Sequence, residues 1–502
     1  MTGLPAPRQA GLSACGPAPA GWQDPPAARV DFDEWAGLFE AVPGELVERY
    51  RYYRRDQLAS GGLRPWSTYL FPPQSFAVYG ARHLARLRFD NSLAALRLWG
   101  FVQSESERLF RARQLGRRVV ATMGDLGALP VLVNSFPELV AFYPDCTWWT
   151  PFAMESTVLL DAAAREGIGE ATCFSRAALG AFAKHAYFPD PDLVIASSGA
   201  SCDDFAGVEQ LAAGHARSVL WLEEPLRRDC GASCTQGTAR PGVSRTAGGV
   251  PYEPAARELL VREYERALGR LEERAGRRIG EDELRAGIRR ANTVRALARR
   301  VRELAYADAA LPALETMLVE FGCLHGYSDF EEWQDILEQL VATGAARRDR
   351  GERVRPPDAL RVGWVSPPAD PLFLVHVEDR GARVVASEYV INQALEPIDE
   401  TKPPLEAVAE SFLAASLIGS SRARAATVIA EARRNRAEGF IISGILGGSH
   451  CAMETRLIAD SVREELGLPV LDFDVPPPAR EINRQLATRI DAFLEVVRER
   501  RG

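Results

Sequence analysis

Cys173, Cys202 and Cys451 are the residues of this chain whose type and setting could do chemistry. Cys202 ends the stretch Asp192-Leu-Val-Ile-Ala-Ser-Ser-Gly-Ala-Ser-Cys, and Cys451 ends Gly439-Phe-Ile-Ile-Ser-Gly-Ile-Leu-Gly-Gly-Ser-His-Cys. Cys173 lies in Ala171-Thr-Cys-Phe-Ser-Arg, just ahead of an Ala-rich helical stretch. Short apolar runs of this kind read as buried strands, and in open α/β sheets ligands collect beyond the carboxyl ends of strands. Three thiols delivered to such crevices from distant parts of the chain suggest one shared site. A soft metal or an iron–sulfur cluster is the natural occupant of a thiolate trio. The spacings lack the tight patterns of ferredoxins and zinc knuckles, and a lone buried cysteine also serves as a small hydrophobe. On the residues alone both readings stay open.

Other groups fall near the same positions. Ser201, Ser449 and Glu454 are candidates for tuning a cluster or moving protons, while the two serines suit helix N-caps equally well. His450 adjoins Cys451 and could donate a hydrogen bond to a ligand. The pair Gly447-Gly448 would allow close backbone approach, or simply a tight turn. Cys230 and Cys234, four apart in a Gly-rich stretch, could grip a metal but lack a second pair. Cys146 beside Trp148 and Trp149 lines a cavity or packs an aromatic corner; Cys15 and Cys323 look incidental. No Gly-x-Gly-x-x-Gly, Walker loop or His-Glu-x-x-His occurs, so no P-loop ATP site is expected.

These residues need elements to position them. At 502 residues the chain exceeds one ordinary core, and two or three domains are expected. The net charge of −8, with no basic stripe, argues against nucleic acid as a partner. No apolar run approaches the roughly 20 residues that span a bilayer, and the N-terminus does not read as a secretory leader, so no membrane role is expected. Eight cysteines are too sparse for a disulfide scaffold, which suits a reducing cytoplasm.

Residues 1–30 read as a disordered Ala/Pro/Gly tail, and 31–116 as an amphipathic helical region with Trp35, Leu38, Phe39 and Val42 at helical spacing. Helices packing on a partner or on a later domain explain that region. From 117 to 225 the rhythm changes to short apolar runs, at Arg118-Val-Val-Ala-Thr, Pro130-Val-Leu-Val-Asn, Asp192-Leu-Val-Ile-Ala and Ser218-Val-Leu-Trp-Leu, with helical stretches between several of them. Strands alternating with helices imply a parallel sheet covered on both faces. Residues 226–358 form a loop and a helical insert, whose second long helix starts after Gly280 with Glu283 reaching back to the free amides. A second α/β unit, 359–502, opens at Leu360-Arg-Val-Gly-Trp-Val and ends on an amphipathic helix. The expected fold is therefore α/β, with two Rossmann-like parallel-sheet domains around a helical insert and an additional helical N-terminal region. Cys173 and Cys202 belong to the first unit and Cys451 to the second, so a cleft between the units would bring all three together.

The segment Pro191-Asp-Leu-Val-Ile-Ala leading to Cys202-Asp203 resembles the second cysteine motif of the 2-hydroxyacyl-CoA dehydratase D-component family, which includes benzoyl-CoA reductase subunits. Thr172-Cys173-Phe-Ser-Arg-Ala-Ala-Leu-Gly180 is similar to its first motif. His450-Cys451, Glu454, Gly467-Leu-Pro-Val-Leu and Gln485-Leu-Ala-Thr-Arg-Ile-Asp resemble its third motif and closing helix, and Gly280 to Asn292 its middle section. The resemblance runs over roughly 117 to 500. Phe136-Pro-Glu-Leu139 stands where the family carries Pro-Glu-Glu-Leu, and the first 115 residues and 228–252 lie outside the match.

The resemblance implies a [4Fe-4S] cluster on Cys173, Cys202 and Cys451, with one iron left open. It implies a paired homologous subunit, as a hetero- or homodimer, and a separate ATP-dependent iron–sulfur activator that injects the electron. It implies an acyl-CoA or related acyl substrate, and an oxygen-sensitive lyase that dehydrates it through a one-electron ketyl radical. A reductase subunit, an electron-relay or scaffold subunit, and an α/β binding protein without a cluster are the rival readings.

Overall fold

A computed structural model describes residues 22–50, 69–70, 72–73, 85–124, 126–144, 157–170, 172–199, 201–216, 218–227, 243–368, 370–475 and 482–501. Two four-stranded sheets, all parallel, form the centres of two lobes. The first contains β1 (Arg118–Met123), β2 (Leu139–Phe142), β3 (Leu193–Gly199) and β4 (Val219–Glu224), in the order β2-β1-β3-β4. The second contains β5 (Leu360–Val365), β6 (Ala382–Glu388), β7 (Gly439–Ile445) and β8 (Val470–Val475), in the order β6-β5-β7-β8. Most of these strand residues are buried, as expected for parallel strands covered on both faces by helices. The α/β fold expected from sequence is the fold observed.

The two sheets share one topology, and their registers correspond. Met123, the last residue of β1, pairs with Ala196, while Val365, the last residue of β5, pairs with Ile442. The residues that follow also correspond. Gly124 and Ser366 both leave their strands with positive φ, +68° and +66°. Ser197 and Ser443 occupy matching places on β3 and β7. In each lobe the strand order reverses beside the first strand, and that is where crevices form in open α/β sheets.

One apolar run behaves differently from expectation. Pro130-Val-Leu-Val-Asn is not a strand: Leu129–Val133 is a short helix, and the second strand lies further on, at Leu139–Phe142. Leu129 through Val133 are all buried, so no polar face betrays the period, and proline within the first turn is compatible with a helix start.

Between the lobes run Pro254–Ala275 and Glu281–Tyr306, a helical hairpin, followed by Ala313–His325 and Phe330–Asp349. Gly280 precedes the second long helix, and its amide donates to Glu283 Oε2 at 3.1 Å, the start expected from the spacing. The N-terminal helix Leu93–Gln103 packs on Phe330–Asp349 of this same chain. There Arg97 is buried and donates to Glu332, Asp335 and Gln339.

Residues 22–30 correct the expected tail. Arg29–Val30 pairs antiparallel with Phe89–Asp90, Asn91 Nδ2 donates to Pro26 O at 2.7 Å, and Arg29 bridges Glu378 at 2.9 Å. Composition favoured disorder here, but these polar groups fix the segment to the body. One apolar core runs through the N-terminal region, the insert and both lobes, and a smaller cluster fills the outer face of the second sheet.

Candidate functional site

Each cysteine is placed by a turn. Cys202 is the N-cap of Asp203–Ala212, the helix that follows β3. The matching N-cap after β7 is Gly448, with similar extended ψ (125° and 126°), and Cys451 falls in the first turn of the helix Ser449–Met453. Cys173 follows no strand; it precedes the 3-10 turn Phe174–Arg176, which feeds the helix Ala177–Lys184. The expectation that all three sit at strand ends therefore holds for Cys202 and Cys451 and fails for Cys173. Sequence places Cys173 before a helix but cannot say which helix of the crossover will face the crevice.

The fold nevertheless brings the Cys202 and Cys451 turns together across the two lobes. Cys202 Sγ lies 3.8 Å from Ser449 Oγ in the other lobe. Burial is the first cause that raises all three thiols, and neighbouring negative charge adds to it. Cys173 is pushed up to about 11, with Asp204 contributing, although the amide and hydroxyl of Ser175 work the other way. Cys202 is pushed up to about 12, with the Cys173 charge next after burial. Cys451 lies well above its ordinary value; Arg424 offsets part of the rise, while Cys173, Cys202 and Glu388 add to it. All three thiols are thus shifted in the same direction, towards the protonated form. Without a cation they stay protonated, and metal binding would release those protons.

The donor set fits an iron–sulfur cluster in kind: three soft sulfurs on three separate turns. Among the described residues no group of His, Cys, Asp and Glu closes tightly enough for a single metal ion. A cluster whose irons each take one thiolate requires a wider spacing than a lone ion. Cys173, Cys202 and Cys451 are free thiols. Cys323 is buried within the helix Ala313–His325, as a packing residue. Cys15, Cys146, Cys230 and Cys234 lie outside the described residues.

The polar surround of Cys451 was not read from sequence. Arg424, 1% exposed, donates to Glu388 Oε2 from Nε (2.9 Å) and Nη2 (2.8 Å), to Ser366 Oγ (2.9 Å), to Glu454 Oε2 (3.0 Å) and to the carbonyl of His450 (3.2 Å). It thus ties the ends of β5 and β6 to the turn that carries Cys451. Burial opposes its charge, but Glu388 and Glu454 hold the guanidinium protonated. The positive φ of Ser366, a strained conformation for a non-glycine residue, is held by its own amide bond to Glu388 O and by Arg424. The local signal for Arg424 was slight, one of two arginines in Ser-Ser-Arg-Ala-Arg-Ala-Ala.

The other candidates divide. Ser449 is at the site twice: its hydroxyl faces Cys202, and its amide donates to Asp204 Oδ2 at 2.7 Å. Ser201 is buried immediately before Cys202. Burial opposes the charge of Glu454, yet His450 and then Arg424 hold its carboxyl below the usual carboxylate range. It also accepts from the Ser421 hydroxyl at 3.1 Å. His450 Nδ1 lies 3.6 Å from Glu454 Oε1 and is partly open to solvent. A groove of about 590 Å³ lined by Arg463, Leu468, Val470, Arg489, Phe493 and Arg500 lies at the opening end of β8 and includes none of these residues.

Two parallel sheets of one topology, with the Cys202 and Cys451 turns meeting between them, define an α/β protein of two lobes. Residues 150–497 match the family model of the 2-hydroxyglutaryl-CoA dehydratase D-component. The chain belongs to that family, whose members fit a subunit of a 2-hydroxyacyl-CoA dehydratase-like enzyme. The match begins at 150, so β1 and β2 lie outside it although the resemblance was read from 117. Comparison with curated proteins yields no match. Among the described residues no helix is long and apolar enough to cross a membrane.

Proposed function

We propose that this chain is the cluster-bearing subunit of a 2-hydroxyacyl-CoA dehydratase-like lyase, with Cys173, Cys202 and Cys451 holding a [4Fe-4S] cluster. The observation that carries the reading is the meeting of the Cys202 and Cys451 turns across two lobes, with the Cys202 sulfur 3.8 Å from the Ser449 hydroxyl, in a chain of this family. When bound, such a cluster would supply an electron at low potential (down to about −700 mV) and one open iron as a Lewis acid.

The protein's own residues do the rest. The Ser449 hydroxyl is placed to hydrogen-bond the Cys202 sulfur, and Arg424 balances negative charge beside Cys451. Burial of Cys173 keeps water from that corner. His450, at the solvent side of the site, is the group best placed to carry a proton, with Glu454 orienting its ring. Ser201 retains a candidate role by position alone. Loss of the 2-hydroxyl and one 3-proton converts the acyl thioester to its 2-enoyl form with no net redox change. The 3-proton is not acidic in the thioester itself, so an electron must first be lent to the carbonyl from a separate ATP-dependent activator and, the net change being redox-neutral, is recovered at the end. A homologous subunit pairs with this one, and the oxygen-sensitive assembly works in the cytoplasm.

The test is an anaerobic assay of the chain with its paired subunit and activator, offered 2-hydroxyacyl-CoA thioesters and read by mass spectrometry. The expected product is lighter than substrate by one water. A product gaining two hydrogens from an unsaturated acyl thioester, with no dehydration, would replace the lyase by a reductase.

A further inference from the structure

The three thiols come from two lobes, so something must fix the lobes against each other at the site. Asp204 stands in the first turn of Asp203–Ala212, two residues from Cys202. Its Oδ2 accepts the Ser449 amide at 2.7 Å, across 245 positions of sequence. Ser449 is the first residue of its helix, so this amide has no partner within the helix. The same Ser449 carries the hydroxyl that faces Cys202 Sγ. A carboxylate–amide bond is short and about twice as strong as a neutral one. Elsewhere the insert is tied to the second lobe, where Arg227 donates to the carbonyls of Leu413 and Ala415, both at 2.6 Å.

We propose that Asp204 is a positioning residue, a latch that holds the Cys451 turn against the Cys202 turn and so sets the spacing of the three thiols. Its carboxylate is tolerated beside the thiols despite adding to their negative surround, which is an electrostatic penalty. The latch rests on the reading that the thiols form one site, but its geometry stands in the metal-free chain.

The experiment separates the bond from the charge. Asp204→Asn keeps an oxygen acceptor and removes the charge; Asp204→Ala removes both. Ser449→Pro deletes the donating amide at a first helical position, where proline is tolerated, after a Gly448 whose extended backbone suits a following proline. Ser449→Ala keeps the amide and removes the hydroxyl. In metal-free protein, alkylation of Cys202 by iodoacetamide is mapped by mass spectrometry, with circular dichroism to show folding. Asp204→Ala and Ser449→Pro are expected to react about tenfold faster than Ser449→Ala, equivalent to about 1.4 kcal/mol of opening. Asp204→Asn should stay within a few-fold of the wild type. In anaerobically reconstituted protein, iron retained against a chelator should fall in Asp204→Ala and be rescued in Asp204→Asn. Alkylation unchanged in both Asp204→Ala and Ser449→Pro overturns the latch. A wild type that takes up no iron, while the alkylation series behaves as expected, overturns the cluster and leaves the latch standing.

Discussion

The Cys202 sulfur lies 3.8 Å from the Ser449 hydroxyl, 247 positions away in sequence and on the opposite lobe. Neither residue could reach the other within one sheet. Their meeting requires both lobes, each ending its third strand at the same crevice, and the helical insert that fixes the two sheets together. The site is therefore as stable as the packing behind it, and the first consequence concerns the buried polar cluster on the Cys451 side.

Replacing Arg424 by Met leaves Glu388, itself 1% exposed, without its cation, and leaves the His450 carbonyl without this donor. Breaking a buried pair by removing one partner costs about 3–5 kcal/mol. Urea unfolding is expected to show a loss of that order, and iron uptake should fall with it. Arg424→Lys restores one charge but not the five bonds, and should fall between. A Met variant with wild-type stability would show that the cluster of charges is not structural.

Much of the architecture was legible. The alternation of strand and helix gave the two parallel sheets, Gly280 with Glu283 marked a helix start, and the cysteine motifs pointed to the family. What escaped had physical causes. Leu129–Val133 is buried on every side, so its pattern could not separate helix from strand. Residues 22–30 look disordered by composition because their anchoring lies in partners remote in sequence, such as Glu378 and Asn91. Arg424 and Asp204 were missed because their value comes from what faces them across the fold, which no local spacing encodes.

Glu315 predicts a pH dependence. Its carboxyl is pushed up to about 8, first by burial and then by the charge of Asp90, while the Trp99 indole and the Asp90 amide donate to it at 3.0 and 3.1 Å. A folded value above the ordinary 4.5 means the folded state holds the proton more tightly. That contribution to stability is complete below about pH 4.5 and is lost as the pH rises towards 8. Glu315→Gln keeps the accepting oxygen and cannot ionise. Its melting temperature relative to wild type should rise steadily between pH 5 and pH 9 (roughly the span set by these values). A difference that stays constant with pH would exclude this titration.

Gly180 sits where two helices touch through backbone. A Cβ there would lie 2.0 Å from the carbonyl oxygen of Leu159, so Thr157–Arg165 and Ala177–Lys184 would have to part. Overpacking of this kind costs about 1–3 kcal/mol. Gly180→Ala should lower the urea midpoint and, because the second helix follows directly on the Cys173 turn, weaken iron retention too. Unchanged midpoint and iron would mean the helices move apart freely.

The central claim is tested most directly by counting iron and sulfide per chain after anaerobic reconstitution, in the wild type and in Cys173→Ala, Cys202→Ala, Cys451→Ala and Cys323→Ala. About four irons and four sulfides are expected in the wild type and in Cys323→Ala, the count of one [4Fe-4S] cluster, with stable cluster and its visible absorption lost in each of the other three. Full iron in Cys202→Ala, or its loss in Cys323→Ala, would contradict the assignment of the thiol site.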